Sequence, residues 1–286
     1  MENSTFWIDL LGGAISYYNA GGIRTRCLEA GKGEPLILMH GSGGHAESYI
    51  KNVVPLSEHF HVYAIDMVGH GFTDDPPTGG GVPALLDHLM KFMDAVGATR
   101  AHLLGESMGG SVSAWAAIKY PERVNKVVYV CGAGLDLDPQ DRELAAAGRE
   151  AFVRLSQQAL SEPTRESVRQ RLAWLFLDPE KSITRELLET RYQIYAGRRQ
   201  RGPARPPGQR SGAQEWQLTR ERLLQIKAPF FFLWTDHNPT TPWQVAEKAH
   251  RLLTGSRFHL VKNAGHWPQY EQAEEFNRVV IDFLKG

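Results

Sequence analysis

Cysteine is scarce in this chain of 286 residues: only Cys27 and Cys131 occur, far apart and each in a strand-like context. So few thiols exclude a disulfide-built scaffold and a cysteine-rich metal site, and suggest two buried free thiols in a reducing compartment. Long apolar runs are lacking too. The longest, such as Phe230 to Trp234 and Val127 to Cys131, fall far short of a membrane span. The opening residues Met1 to Thr5 carry no cationic stretch before an apolar one, so a secretory leader is not expected. Net charge is missing as well, since 32 Lys+Arg balance 32 Asp+Glu. That balance speaks against nucleic acid or an anionic membrane as the main partner. A cytoplasmic enzyme acting on a small molecule fits these absences; association with copies of itself stays open.

What is present alternates between strand and helix. Ala14 to Ala20 and Ile23 to Ala30, split by Gly21-Gly22, suggest a hairpin. Pro35 to Met39, His61 to Ile65, Ala101 to Leu104 and Val124 to Val130 are short, nearly continuous apolar runs. Such runs suit parallel strands covered on both faces. Val82 to Val96 has helical spacing. From residue 133 to 226 the texture turns helical, rich in Arg, Glu, Gln and Leu. Strand pattern returns at Phe230 to Trp234 and Arg257 to Val261, with a last helix over Glu271 to Lys285. The expected architecture is an α/β core of residues 1–132 and 227–286, a mostly parallel sheet, with residues 133–226 inserted as a helical lid. Within that lid, Gly197 to Gly212 holds five Arg, four Gly and three Pro, and reads as a mobile loop.

Gly105-x-Ser107-x-Gly109 sits between a strand and a helix. In that setting the pattern is a nucleophile elbow, a tight turn that lifts a serine hydroxyl above the sheet edge. Of eleven histidines, His266 is set apart by following the last strand, at the sheet edge that carries Ser107. It is the expected base. The N–H of Met108, just after the nucleophile, and that of Ser42 in the loop His40-Gly41-Ser42-Gly43 are the expected oxyanion donors. The acid should follow the Phe230–Trp234 strand, where Asp236 is the only carboxylate in the loop up to Pro242. No cofactor or metal is needed for this chemistry.

Together these residues resemble the α/β-hydrolase superfamily over nearly the whole chain. Within it they are similar to the meta-cleavage-product hydrolases, which cleave carbon–carbon bonds during aromatic-ring degradation. The narrower likeness rests on His40-Gly41-Ser42-Gly43, on Gly265-His266-Trp267 before an acidic helix, and on the stretch Phe176 to Tyr192. The resemblance implies that Arg191 binds the oxygen-rich dienoate end of the substrate and that Gly43 and Trp267 line its site. It also implies that substrate ketonisation precedes cleavage of a vinylogous 1,5-diketone. Three residues or segments depart from the family pattern. Glu106 stands before the nucleophile, where the family usually has Asn. Asn238 stands four residues before Pro242, where the acid usually lies, with Asp236 two positions earlier. The Arg/Pro/Gly segment replaces a lid helix. Either Asp236 serves from a shifted loop, or Asn238 orients His266.

The leading expectation is therefore a serine hydrolase with Ser107, His266 and Asp236 as its triad. A carboxylesterase or lactonase is the near alternative, and a small-molecule receptor on the same fold is the non-enzymatic one. Arg191 discriminates, because an anionic substrate needs such a cation and a neutral ester does not. A solvated helix charge is its other reading.

Overall fold

The computed structural model describes residues 5–77, 79–201 and 213–286. Eight strands form one sheet in the order β1-β2-β4-β3-β5-β6-β7-β8. β1 (Ala14–Ala20) and β2 (Ile23–Ala30) are the expected antiparallel hairpin. Gly21 and Gly22 take φ of +62° and +91°, the left-handed pair that a two-residue hairpin turn requires. β2 pairs antiparallel with β4 (His61–Ile65), and every pairing beyond that is parallel. β3 is Pro35–Met39, β5 Ala101–Glu106, β6 Val124–Val130, β7 Phe230–Thr235 and β8 Arg257–Val261.

The continuous apolar runs are explained by two cores, one on each face of the sheet. Ile37, Met39, Leu103, Val127, Tyr129, Phe230 and Phe232 belong to one, whereas Leu36, Leu38, Leu104, Val128, Val130 and Phe231 belong to the other. Successive strand residues thus alternate between cores, as the two-residue period demands. Every residue of β5 and of β7 is buried. The helix Met108–Lys119 packs on this central region with ten of its residues buried, so its start, and with it Ser107, is fixed by the middle of the protein.

Between β6 and β7 the described residues are mainly helical, with helices at Pro139–Ser161, Arg165–Ala173 and Arg185–Arg201. The expected loop over Gly197 to Gly212 is corrected for its first residues, which continue the last of these helices. The reason is tertiary. Arg198 donates to the carbonyls of His70, Gly71 and Thr73 and pairs with Asp75, and Arg199 donates to the carbonyl of Ser161. Residues 202–212 lie outside the described residues. The last helix also begins differently. Gln272, at φ −126° and ψ 49°, separates a short turn Pro268–Glu271 from the helix Ala273–Lys285.

Two histidines are built into the core as neutral rings. His40 donates from Nδ1 to the Gly41 carbonyl and accepts at Nε2 from the Met67 N–H. His88 accepts at Nδ1 from the Val68 N–H and donates from Nε2 to Thr25 Oγ1. Burial pushes His40 down to about 3 and His88 down to about 4. Below an ordinary histidine value of about 6.5 the unfolded chain takes up these protons and the folded chain does not. Their contribution is therefore whole above about pH 6.5 and is lost as the pH falls toward 4 and 3, at about 1.4 kcal/mol per pH unit for each ring. Urea unfolding should show a clearly lower midpoint at pH 5 than at pH 7.5; equal midpoints would contradict this account.

Candidate active site

β5 runs straight into Ser107, which has φ 51° and ψ −113°. A non-glycine residue in that region is strained and persists only where its surroundings impose it. Here the Ser107 N–H donates to the Val130 carbonyl at 2.9 Å, and the Ser107 carbonyl accepts from the N–H groups of Ser111 and Ala133. The flanking glycines are required by space. A Cβ at Gly105 would lie 2.1 Å from the Gly109 backbone, and one at Gly109 would lie 2.1 Å from the Met39 carbonyl oxygen.

Ser107 opens onto a cavity of about 340 Å³, which Ser42 and Met108 also line. The two expected oxyanion residues and Ser107 thus line one cavity. The remaining lining is largely apolar, with Val82, Phe152 and Trp216 prominent and Arg149 as the one charged group among the described lining residues. Gly43, Arg191 and Trp267 stand outside this lining.

His266 is buried, 2 % exposed, and its loop is pinned to the middle of the helical insertion, just after the helix Arg165–Ala173. The His266 N–H donates to the Leu175 carbonyl at 2.6 Å. Thr235 Oγ1 donates to the Gly265 carbonyl, and Glu271 accepts from the N–H groups of Gly265 and Leu177. Burial pushes the Glu271 carboxyl above its ordinary value, against these donors. The Trp174 ring lies 5.9 Å from the imidazole, centre to centre.

Asn238, not Asp236, occupies the hydrogen-bonding position on His266. Asn238 Oδ1 lies 2.7 Å from His266 Nδ1. Its amide is oriented unambiguously, because Nδ2 donates to the Thr241 carbonyl and Oδ1 accepts from Thr240 Oγ1. Asp236 is the first residue beyond β7, and its carboxylate turns toward the neighbouring loop. It accepts from the N–H groups of Asn263 and Ala264, at 3.2 and 3.4 Å, and pairs with His237. Slight burial opposes ionisation there, yet the His237 and backbone donors hold Asp236 below the usual carboxylate range. Its described bonds serve loop closure.

The other side of the imidazole faces Glu106. Its Oε1 lies 2.9 Å from His266 Nε2, with the carboxylate 1 % exposed. Glu106 is unusual in the sequence, but nothing local there connects it to His266.

Arg191 is fully buried, which excludes the reading as a solvated helix charge. Its Nε donates to His45 Nε2 at 3.3 Å, its guanidinium lies 5.0 Å from the centre of the Trp267 ring, and Nη2 has no partner among the described residues. Behind it runs a buried ionic chain. His45 Nδ1 meets Glu47, Glu47 meets Arg26, and Arg26 meets Asp66. Burial works against the Glu47 carboxylate, but His45 and Arg26 hold it well below its ordinary value. Among the described residues no group of three or more His, Cys, Asp or Glu could hold a metal, and no helix is long and apolar enough to cross a membrane. Cys27 and Cys131 are buried and unpaired.

Comparison with known proteins bears on the fold and the class of activity. Residues 34–273 match the family model described as the alpha/beta hydrolase fold. A 2-hydroxy-6-oxo-6-phenylhexa-2,4-dienoate hydrolase of Comamonas testosteroni is 32% identical, covering 90% of each chain. A 2-hydroxy-6-oxo-2,4-heptadienoate hydrolase of Pseudomonas putida is 30% identical, covering 93% of this chain and 94% of its own. Among solved structures, the meta-cleavage product hydrolase of Pseudomonas fluorescens superposes with a TM-score of 0.81 at 26% identity, over 96% of this chain and 98% of that one. The chain is a hydrolase of the α/β-hydrolase family and belongs, within it, with the meta-cleavage-product hydrolases.

Proposed function

We propose that this enzyme hydrolyses a carbon–carbon bond in a vinylogous diketone, a 2-hydroxy-6-oxo-dienoate, produced by ring fission of an aromatic compound. The observation that carries this reading is the strained Ser107 opening, beside Ser42 and Met108, onto a mostly apolar cavity. The substrate carbonyl would sit at that wall, with its hydrocarbon arm along Val82, Phe152 and Trp216. After ketonisation of the dienoate, Ser107 Oγ attacks the carbonyl and its proton passes to His266. The N–H groups of Ser42 and Met108 hold the oxyanion; removing one such donor typically costs 10²–10³-fold. Collapse breaks the carbon–carbon bond, the carbon leaving group takes a proton, and water releases the acid from Ser107. The buried cation of Arg191, with Nη2 unpartnered, suits the anionic end of such a substrate.

A spectrophotometric screen of coloured ring-fission dienoates beside p-nitrophenyl esters tests the assignment. We expect kcat/KM for at least one dienoate to exceed that for every ester by about 100-fold, since only the dienoate meets a buried arginine. A consistent preference for esters would overturn it.

A further inference from the structure

Both ring nitrogens of His266 face acceptor oxygens. Asn238 Oδ1 lies at Nδ1, and its orientation is fixed by Thr241; Glu106 Oε1 lies at Nε2. His40 and His88 differ, for each meets one donor and one acceptor and stays neutral. A neutral imidazole with its proton on Nδ1 serves Asn238 alone, whereas an imidazolium also sets a positive charge beside Glu106. Glu106 has its own need for that charge. It is 1 % exposed, and neither oxygen has an aligned hydrogen-bond donor among the described residues, which leaves the His266 ring at 2.9 Å as its ionic partner. A buried carboxylate without a hydrogen bond or a counter-charge is costly. Space has been made for it at Gly41, where a Cβ would lie 2.4 Å from Glu106 Oε2.

We propose that Glu106, the residue immediately before the nucleophile, is the counter-charge of His266. It is a positioning residue that stabilises the imidazolium formed during turnover, with the neutral amide of Asn238 holding the opposite edge of the ring. The carboxylate of a serine triad has this task, stabilising the imidazolium and fixing the ring. Here the two parts of the task are divided between two residues on opposite sides of the imidazole. This assignment rests on the serine-hydrolase reading above for its catalytic meaning, but not for its titration behaviour.

Other ionisable groups surround the pair. His40, after β3, is pushed down to about 3 by burial, and Tyr49 and Cys131 are pushed up by burial. Arg171, from the helix Arg165–Ala173, is brought down by burial to about 10 and is cationic below that. Arg191 adds a further cation near His40, and Glu271 holds the Gly265 N–H.

The test follows the ¹⁵N signals of His266 in the free enzyme, with the pH dependence of turnover measured beside it. Wild type should hold a doubly protonated ring to higher pH than Glu106→Gln, by one pH unit or more, equivalent to at least a tenfold change in proton affinity. The limb of the pH–kcat/KM profile that reports His266 should move to lower pH by the same amount. Glu106→Asp should recover part of the displacement, and adding Asn238→Asp to Glu106→Gln should return the midpoint upward. An unchanged His266 midpoint in a folded Glu106→Gln enzyme would overturn the proposal, because a purely structural carboxylate would not set the titration. If that variant does not fold, an unchanged His266 midpoint in Glu106→Asp relative to wild type would overturn it equally. If the midpoint moves but no dienoate or ester is turned over, the counter-charge stands and the assigned activity falls.

Discussion

Ser107→Ala should lower the rate of substrate cleavage by about 10⁴-fold or more while leaving the fold in place. The size follows from removing the hydroxyl proposed to form the covalent intermediate; what survives is catalysis by binding and by the proposed oxyanion donors. Retention of the fold follows from the geometry of the turn. The strained conformation is held by backbone bonds of Ser107 to Val130, Ser111 and Ala133, and none of these uses the hydroxyl. An alanine inherits the same φ of 51° and the same packing. The thermal midpoint should consequently stay within a few degrees of wild type, and a fluorophosphonate should label wild type and not the variant. Labelling that persists in Ser107→Ala would place the nucleophile elsewhere. Absence of labelling in wild type, with His266 intact, would favour a receptor over an enzyme.

Gly109→Ala should damage both stability and activity. The added methyl would lie 2.1 Å from the Met39 carbonyl oxygen and 2.9 Å from that of His40, both backbone atoms that cannot rotate away. Relief requires the end of β3 and the start of the helix Met108–Lys119 to separate, at roughly 1–3 kcal/mol for an overpacked core site. Those are also the segments that carry Ser42 and Met108. A displacement of about 1 Å at such a site costs on the order of 100-fold in rate. Gly197→Ala is the control of opposite sign. Gly197 lies within the helix Arg185–Arg201, and a Cβ there meets nothing within 4 Å. That substitution should stabilise by about 0.5–1 kcal/mol, because glycine is entropically costly inside a helix. Comparable melting points for the two variants would show that the close approach at Gly109 is not what shapes the elbow.

How far the sequence foretells this molecule differs between sheet and site. The strands are legible because β3, β5, β6 and β7 are covered on both faces, so that nearly every residue in them must be apolar. The elbow is legible because a strand, two glycines and a serine must be contiguous to make it. The loop after β7 is not legible at the needed resolution. Residue chemistry singles out Asp236 as the lone carboxylate, but the path of the backbone delivers Asn238 to His266 and sends Asp236 to Asn263 and Ala264. Glu106 is visible as a departure from its family, while its meeting with His266 depends on β5 and the loop after β8 converging. The helical start of the Arg-rich segment is hidden for a similar reason. Composition suggests an unstructured loop, whereas the carbonyls that receive Arg198 lie in the loop after β4.

The ionic chain from Asp66 through Arg26, Glu47 and His45 to Arg191 has a consequence for anyone wishing to alter the substrate range. Arg191 looks like a position to exchange freely, since one guanidinium would decide whether an anion is accepted. Yet it is the terminal member of a buried relay whose charges have been balanced as a set. Deleting it leaves His45 Nε2 without the Arg191 donor and removes the cation nearest the Trp267 ring. Adaptation toward neutral substrates must therefore proceed by compensated, multi-residue replacement, with His45 and Glu47 re-chosen alongside Arg191. A library randomised at position 191 alone would sample mostly damaged folds, whereas one that varies 45, 47 and 191 together would search the space in which new specificities can arise.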